Sequence, residues 1–406
     1  MPDGFLTTVS GMEASVSVSQ GPAARLICHV RERLATLHPA YFAMSMATGI
    51  VCIACHLLGL GGLSAFLFWV NLLAYGLLWA ATIARVIMFR KQFLADWASH
   101  QRGPGFFTSV AATSVLGSQF VLLRQATDIA FGLWIVALVL WVICTYTVFV
   151  ALSIREEKPT LAEGINGGWL VAVVATQSIC TLGCFVLPDR LGDRDAALFF
   201  LMSFWLCGGM LYIWMISLIF YRYTFFRFSP GDFMPPYWIN MGAMAISTLA
   251  GATLVAATGD SPMMISLRPF VKGFTILYWA TATWWIPMLV IIGIWRHAVR
   301  RVKFTYDPLY WGLVFPLGMY CVCTYRLVEI FELPFLAWIS RGFIILAIIA
   351  WLFAFSGLLS RFFHVILMAV RVLRPPTTTA ARADPSSVTL ERPNADPAPL
   401  LTRGVP

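Results

Sequence analysis

The chain is 406 residues long, 59% hydrophobic and 12% charged, with a formal net charge of +9. Soluble domains carry about 25% charged residues, so this composition excludes a water-soluble globule and implies an integral membrane protein. The basic excess signals a nucleic-acid partner only if it is clustered on one surface, and its distribution along the chain argues otherwise.

Residues 1–37 hold a Ser/Gly/Val-rich lead and then Arg25, Arg31 and Arg33, with no short apolar core before Tyr41, so a cleaved leader is not expected. Ten apolar spans follow, at about 41–60, 63–88, 105–123, 129–154, 168–187, 196–221, 236–257, 270–295, 308–331 and 335–365, each long enough for the roughly 20 residues a bilayer crossing needs. Residues 38–370 therefore read as one all-α, ten-helix transmembrane domain. Residues 371–406, with "PPTTTAARADPSSVTLERPNADPAP", read as a disordered tail. Of 28 Lys and Arg, 21 fall on the side of the termini and 5 on the other, with Arg326 and Arg341 inside spans. That bias predicts cytoplasmic termini in a cytoplasmic, bacterial-type inner membrane. It accounts for most of the net charge, so no nucleic-acid partner is expected.

The odd spans open alike, with Pro39-Ala40-Tyr41-Phe42, Gly105-Phe106-Phe107, Gly168-Trp169, Pro236-Tyr237-Trp238 and Pro308-Leu309-Tyr310-Trp311. Their starts at 39, 105, 168, 236 and 308 are 66, 63, 68 and 72 residues apart, which predicts a helical hairpin repeated five times. The even spans hold 12 of the 16 tryptophans. Odd-span interiors read "MATGIVCIA", "SVAATSVLGS", "VVATQSICTLG" and "MGAMAISTLAGAT". Small and hydroxyl residues suit either tight helix packing or a narrow wetted path. The repeat favours an inner ring of odd helices around a central pore, with the even helices outside. Thr48, Gly49, Ser114, Thr176 and Ser247 are then the candidate pore-lining residues of the first four odd helices.

Within span one, "VCIACH" matches the C-x-x-C-H pattern of covalent haem attachment. A haem there would occupy the space that the pore or its packing needs, and no second axial ligand is evident. Cys52 and Cys55 read as small polarizable side chains, and His56 as a candidate pH-sensitive pore residue. Catalytic constellations, metal clusters and phosphate loops are absent from the sequence, so neither an enzyme nor a bound cofactor is expected.

"HPAYFAMSMATGIV", "GGWLVAVVATQSI", "PPYWINMGAMAIS" and "YWGLVFPLGMYCVCTYRL" together resemble the tellurite-resistance/dicarboxylate transporter family. That family includes the plant guard-cell slow anion channel, fungal malate permeases and fungal sulfite exporters. The resemblance covers about residues 36 to 365. It implies five hairpins around a pore, a homotrimer with one pore per subunit, and passive permeation of small anions or anion–proton transport. It also implies that Phe315 in "WGLVFPL" plugs the pore and that Pro316 kinks the helix beneath it. Helical spacing then puts Met319, Val322 and Arg326 on the face of Phe315, with Glu329 one turn further on. Arg326 has two readings: an ion pair with Glu329, or with Glu332 and a link to Arg341, or a charge that draws anions into the outer mouth. Three functions stand open: an anion channel or channel-like exporter, a proton-coupled dicarboxylate (malate) or sulfite carrier, and a membrane redox protein using the CIACH stretch.

Overall fold

The computed structural model describes residues 22–303 and 306–373; the extreme N-terminus and the tail beyond Leu373 lie outside it. Among the described residues, ten helices are long and apolar enough to cross a membrane: α1 Pro39–Leu57, α2 Gly61–Met88, α3 Gly103–Arg124, α4 Thr127–Ile154, α5 Gly167–Val186, α6 Arg194–Phe225, α7 Pro235–Ala256, α8 Pro262–Val299, α9 Pro308–Phe331 and α10 Pro334–Phe363. The largest departure from the expected spans is α8, which starts eight residues early. Ser261 caps it by accepting the Met264 N–H at 3.1 Å, and Pro262 at the first turn has a suitable fixed φ. A helix at Pro22–Ala35 precedes the bundle and rests on α2 and α10.

Odd and even helices form two layers. In the odd helices 67–94% of the most apolar window is buried, against 22–50% in the even ones. The odd helices touch in the order α1, α3, α5, α7, α9 and back to α1, a closed ring. Each begins with a short 3-10 turn, at Pro39–Phe42, Gly103–Phe106, Gly167–Leu170, Pro235–Trp238 and Pro308–Tyr310, and these turns form a second closed ring at one end. That end carries most of the arginines and is called the basic end below.

Two recurrent polar contacts hold the layers together. In mid-bundle, an aromatic donor on each outer helix bonds to the next inner helix. Tyr75 meets Thr113 Oγ1 at 2.8 Å, and Trp141 Nε1 donates to Thr176 Oγ1 at 2.8 Å. Trp205 Nε1 donates to the Ser247 carbonyl at 2.9 Å and Trp279 Nε1 to Thr324 Oγ1 at 3.0 Å. Trp351 Nε1 closes the circle on Thr48 Oγ1 at 3.0 Å. Other tryptophans of the even helices, such as Trp69, Trp214, Trp284 and Trp338, are exposed on the outer surface. The even-span aromatics are thus two sets, one facing the lipid and one linking hairpin to hairpin.

At the basic end, an arginine near the close of each outer helix reaches back to a carbonyl just before the 3-10 turn of its own hairpin. Arg85 donates to Ala35 O at 3.1 Å, Arg155 to Ala98 O at 2.8 Å and Arg222 to Ala162 O at 2.7 Å. Arg296 donates to Phe233 O, and Arg361 to Tyr306 O at 2.7 Å. These guanidiniums satisfy carbonyls of irregular chain close to the bilayer, where a missing partner is costly.

The turn ring depends on glycine where two turns touch. A Cβ at Gly167 would lie 2.4 Å from the Pro236 carbonyl oxygen and 2.6 Å from Tyr237 Cα. Both are backbone atoms that cannot rotate away, so the cost of overpacking is at least about 1–3 kcal/mol. Gly132, on the outer layer, has no neighbour within 4 Å. Gly167→Ala is expected to lower the unfolding temperature in detergent by several degrees, whereas Gly132→Ala leaves it unchanged or raises it, since alanine favours helix by up to about 1 kcal/mol. Equal melting temperatures for the two variants would contradict this account of the turn ring.

Candidate functional site

The axis of the inner ring holds two separate cavities, each lined by residues from all five odd helices. Their relation follows from register. Counting Pro39, Gly103, Gly167, Pro235 and Pro308 as zero, position four is Ala43, Phe107, Val171, Ile239 and Gly312. All of these except Phe107, replaced by its neighbour Thr108, line a vestibule of about 550 Å³ at the basic end. Position eleven is Ile50, Ser114, Ser178, Ile246 and Met319, and all five line a smaller cavity of about 30 Å³ toward the far end. Position fourteen adds Ile53, Thr181, Leu249 and Val322 to the same wall, and Arg326 stands at its outer rim.

Between the levels of positions four and eleven lies position seven: Met46, which also borders the vestibule, with Val110, Val174, Gly242 and Phe315. The four side chains are buried and none is polar. Gly242 is there for contact, since a Cβ would sit 2.7 Å from Pro316 Cγ, and a bare backbone lets α7 and α9 approach. Pro316 lies inside α9 and cannot donate to the carbonyl of Gly312, which frees the helix to bend at this level.

The residues expected to line the axis separate into two groups. Ser114, Met319, Val322 and Arg326 line the far cavity, and Phe315 and Pro316 stand at the layer between cavities. Thr48, Gly49, Thr176 and Ser247 line neither of these two cavities. Thr48 and Thr176 accept indole N–H groups of α10 and α4, and the Ser247 carbonyl accepts that of α6. A Cβ on Gly49 would meet Asn71 of α2 and Val115 and Gln119 of α3. These small and hydroxyl residues serve inter-helix contact. His56 is exposed at the end of α1 and lines neither of these two cavities. Cys52 faces α2, donating to the Ser64 carbonyl at 3.1 Å while Ser64 Oγ donates to the Cys52 carbonyl at 3.0 Å, so it is not paired with His56 in a common site. Glu329 is exposed and binds Arg326 at 2.8 Å, which identifies Glu329, rather than Glu332, as the ion-pair partner.

The vestibule contains groups that sequence reading missed. Arg222 is buried and binds Asp232 at 3.2 Å as well as the Tyr237 hydroxyl. Burial opposes ionisation of Asp232, but its hydrogen bonds to Ser229 and the Arg222 charge outweigh that and hold the carboxyl below its usual range. On the opposite wall His38 accepts the Ala40 N–H on Nδ1 at 3.0 Å, capping the first turn of α1. Arg85 and Arg102 share one carboxylate nearby, Asp96, at 2.8 and 2.7 Å. The arginines at 85, 155, 222, 296 and 361 recur once per hairpin, a signal in the sequence that could have pointed to this end.

Burial, and then the Arg102 charge, push His38 down to about 4, with Asp96 and Asp307 opposing. The unfolded chain therefore protonates first, near its ordinary value of about 6.5. The stability contributed by neutral His38 is lost as pH falls from about 6.5 toward about 4. The unfolding temperature of the wild type is expected to drop across that interval by more than that of His38→Asn, whose amide caps without titrating; parallel curves would remove His38 from the account.

A family model described as voltage-dependent anion channel matches residues 36–359. An uncharacterized membrane protein of Mycobacterium tuberculosis is 41% identical over 151 residues, which cover 37% of this chain and 75% of that protein. An uncharacterized transporter of Methanocaldococcus jannaschii is 24% identical over 320 residues, 77% of this chain and 90% of its own. A sulfite efflux pump of Arthroderma benhamiae is 24% identical over 343 residues, with coverage of 80% and 90%.

Proposed function

This chain belongs to the voltage-dependent anion channel family, and from that premise we propose that it conducts small anions passively along the axis of the inner ring, with Phe315 as the gate. The observation that carries the reading is the register of position seven. It sets Phe315 in an all-apolar layer between two cavities to which all five helices contribute. An apolar constriction resists both water and ions. The kink at Pro316 supplies a joint at which α9 can move the ring aside.

Charge supports the sign of the permeating ion. Arg222 lines the vestibule beside Glu163 and Asp232, the other hairpin arginines lie at the same end, and Arg326 lies at the opposite rim. The arginine excess at one end and Arg326 at the other support anions over cations. The excess of Lys and Arg supports a cytoplasmic basic end.

The second reading, a proton-coupled carrier, needs a titratable group at mid-membrane, beyond the vestibule that holds His38 and Asp232. Positions seven, eleven and fourteen contain none, which favours the channel. Sulfite stands first among the anions to test, because one relative carries the name of a sulfite efflux pump.

Flux of chloride, nitrate, malate and sulfite through proteoliposomes, with and without an imposed pH gradient, tests the proposal. Flux that is independent of the gradient is expected, and strict dependence on it would favour the carrier. Phe315→Ala is expected to raise anion current severalfold, and an unchanged or smaller current in correctly inserted protein would contradict the gate. Arg326→Gln is expected to lower conductance with insertion intact; unchanged conductance would leave Arg326 only its ion pair with Glu329.

A further inference from the structure

We propose that Ser114 is a specificity-determining donor in the far cavity, the hydroxyl to which a partly dehydrated anion hydrogen-bonds beside the apolar layer. The inference rests on the channel reading above and names the chemistry of one of its sites.

Size is the first argument. The far cavity has a volume of about 30 Å³. The vestibule, at about 550 Å³, is many times larger, so the far cavity is the narrow one of the two. An anion must shed most of its hydration here, and whatever donors the wall offers decide which anion loses least.

The donors can be counted. The hydroxyls of this cavity all stand on α3 and α5. Ser118 Oγ donates to the Ser114 carbonyl at 3.0 Å, Ser178 Oγ to Ala175 O at 2.7 Å, and Thr181 Oγ1 to Gln177 O at 2.9 Å. A hydroxyl carries one proton, so these three are committed to main chain. Ser114 Oγ is buried, 1% exposed as a residue, and has no hydrogen-bond partner among the described residues. An unpaired buried hydroxyl needs an explanation, and its position on the axis provides one: its partner is the permeating ion. Arg326 at the rim gives one N–H to Glu329. A guanidinium has five donors, so four remain for the cavity that it lines.

A neutral hydroxyl beside otherwise aliphatic walls discriminates by hydrogen-bond strength. Compact acceptors such as chloride gain from it, and large, weakly hydrated ions such as iodide gain little. Bi-ionic reversal potentials across bilayers test this in the wild type and in the Phe315→Ala background. In Ser114→Ala the chloride-to-iodide permeability ratio is expected to fall about three- to tenfold, the scale set by the net contribution of one hydrogen bond. Ser114→Thr keeps the hydroxyl and is expected to keep the ratio. Ser114→Cys, a weaker donor of similar size, falls between, and serves if the alanine variant does not insert. Ser118→Ala removes a hydroxyl already bound to main chain and leaves the ratio in place. A normal ratio in Ser114→Ala, or an equal fall in Ser118→Ala, overturns the proposal while the channel reading stands. No anion flux in any of these proteins overturns both.

Discussion

The hydrogen bonds from outer-helix aromatics to inner-helix hydroxyls and carbonyls set the rest of this architecture. In hydrocarbon no water is present to satisfy a threonine hydroxyl, so each must find a partner within the protein. Thr48, Thr113, Thr176 and Thr324 find aromatic partners on the preceding hairpin of the ring, in Trp351, Tyr75, Trp141 and Trp279. Individually such contacts contribute about 0.6 kcal/mol in membranes. Their consequence is geometric more than energetic. With the hydroxyl faces turned outward to the indoles, the opposite faces turn to the axis, and these carry Met46, Val110, Val174 and Phe315. The apolar layer is therefore the complement of the polar links around it.

The two kinds of link divide the work by depth. Arginines at the basic end close each hairpin on itself through main-chain carbonyls, and aromatics in mid-bundle join each hairpin to the next. The first sets an arginine of each hairpin at the end where the wide vestibule lies. The second fixes the rotation of the five inner helices about a narrow axis. An anion moving along that axis meets, in turn, a wide vestibule where Arg222 stands with Glu163 and Asp232, an aliphatic and aromatic constriction, a small cavity with hydroxyls on one side, and the guanidinium of Arg326. Open space lies at the mouths and the apolar barrier in the middle, an order suited to conduction without a tight binding site.

Phe315 owes its position to α9 as much as to its own chemistry. Gly312 below it lines the vestibule and Met319 above it lines the far cavity, so a ring between them has open space on both sides. Gly242 lets Pro316 come close to α7, and the proline removes the hydrogen bond that would stiffen α9 at that level. A bulky side chain on α7 would force the two helices apart and widen the layer that Phe315 fills.

The number of spans, their alternation between buried and exposed, and the fivefold repeat were legible in the sequence, because length and composition are properties of the chain in one dimension. So was the stretch around Phe315, through its resemblance to a known family. The lining was legible only in part, with Ser114, Met319, Val322 and Arg326 on the far cavity and Thr48 and Thr176 turned to indoles. Each residue turns a helix by about 100°, enough to exchange the axis for the outer layer. Nor does composition tell a hydroxyl that faces an ion from one that faces an indole: Thr176 and Ser178 are two residues apart in one helix, yet only the second lines a cavity. The sequence by itself determined what crosses the membrane and in what order. Only the tertiary structure decided which face of each helix meets the axis, because that rotation is set by partners as distant as Trp351 and Thr48, 303 residues apart.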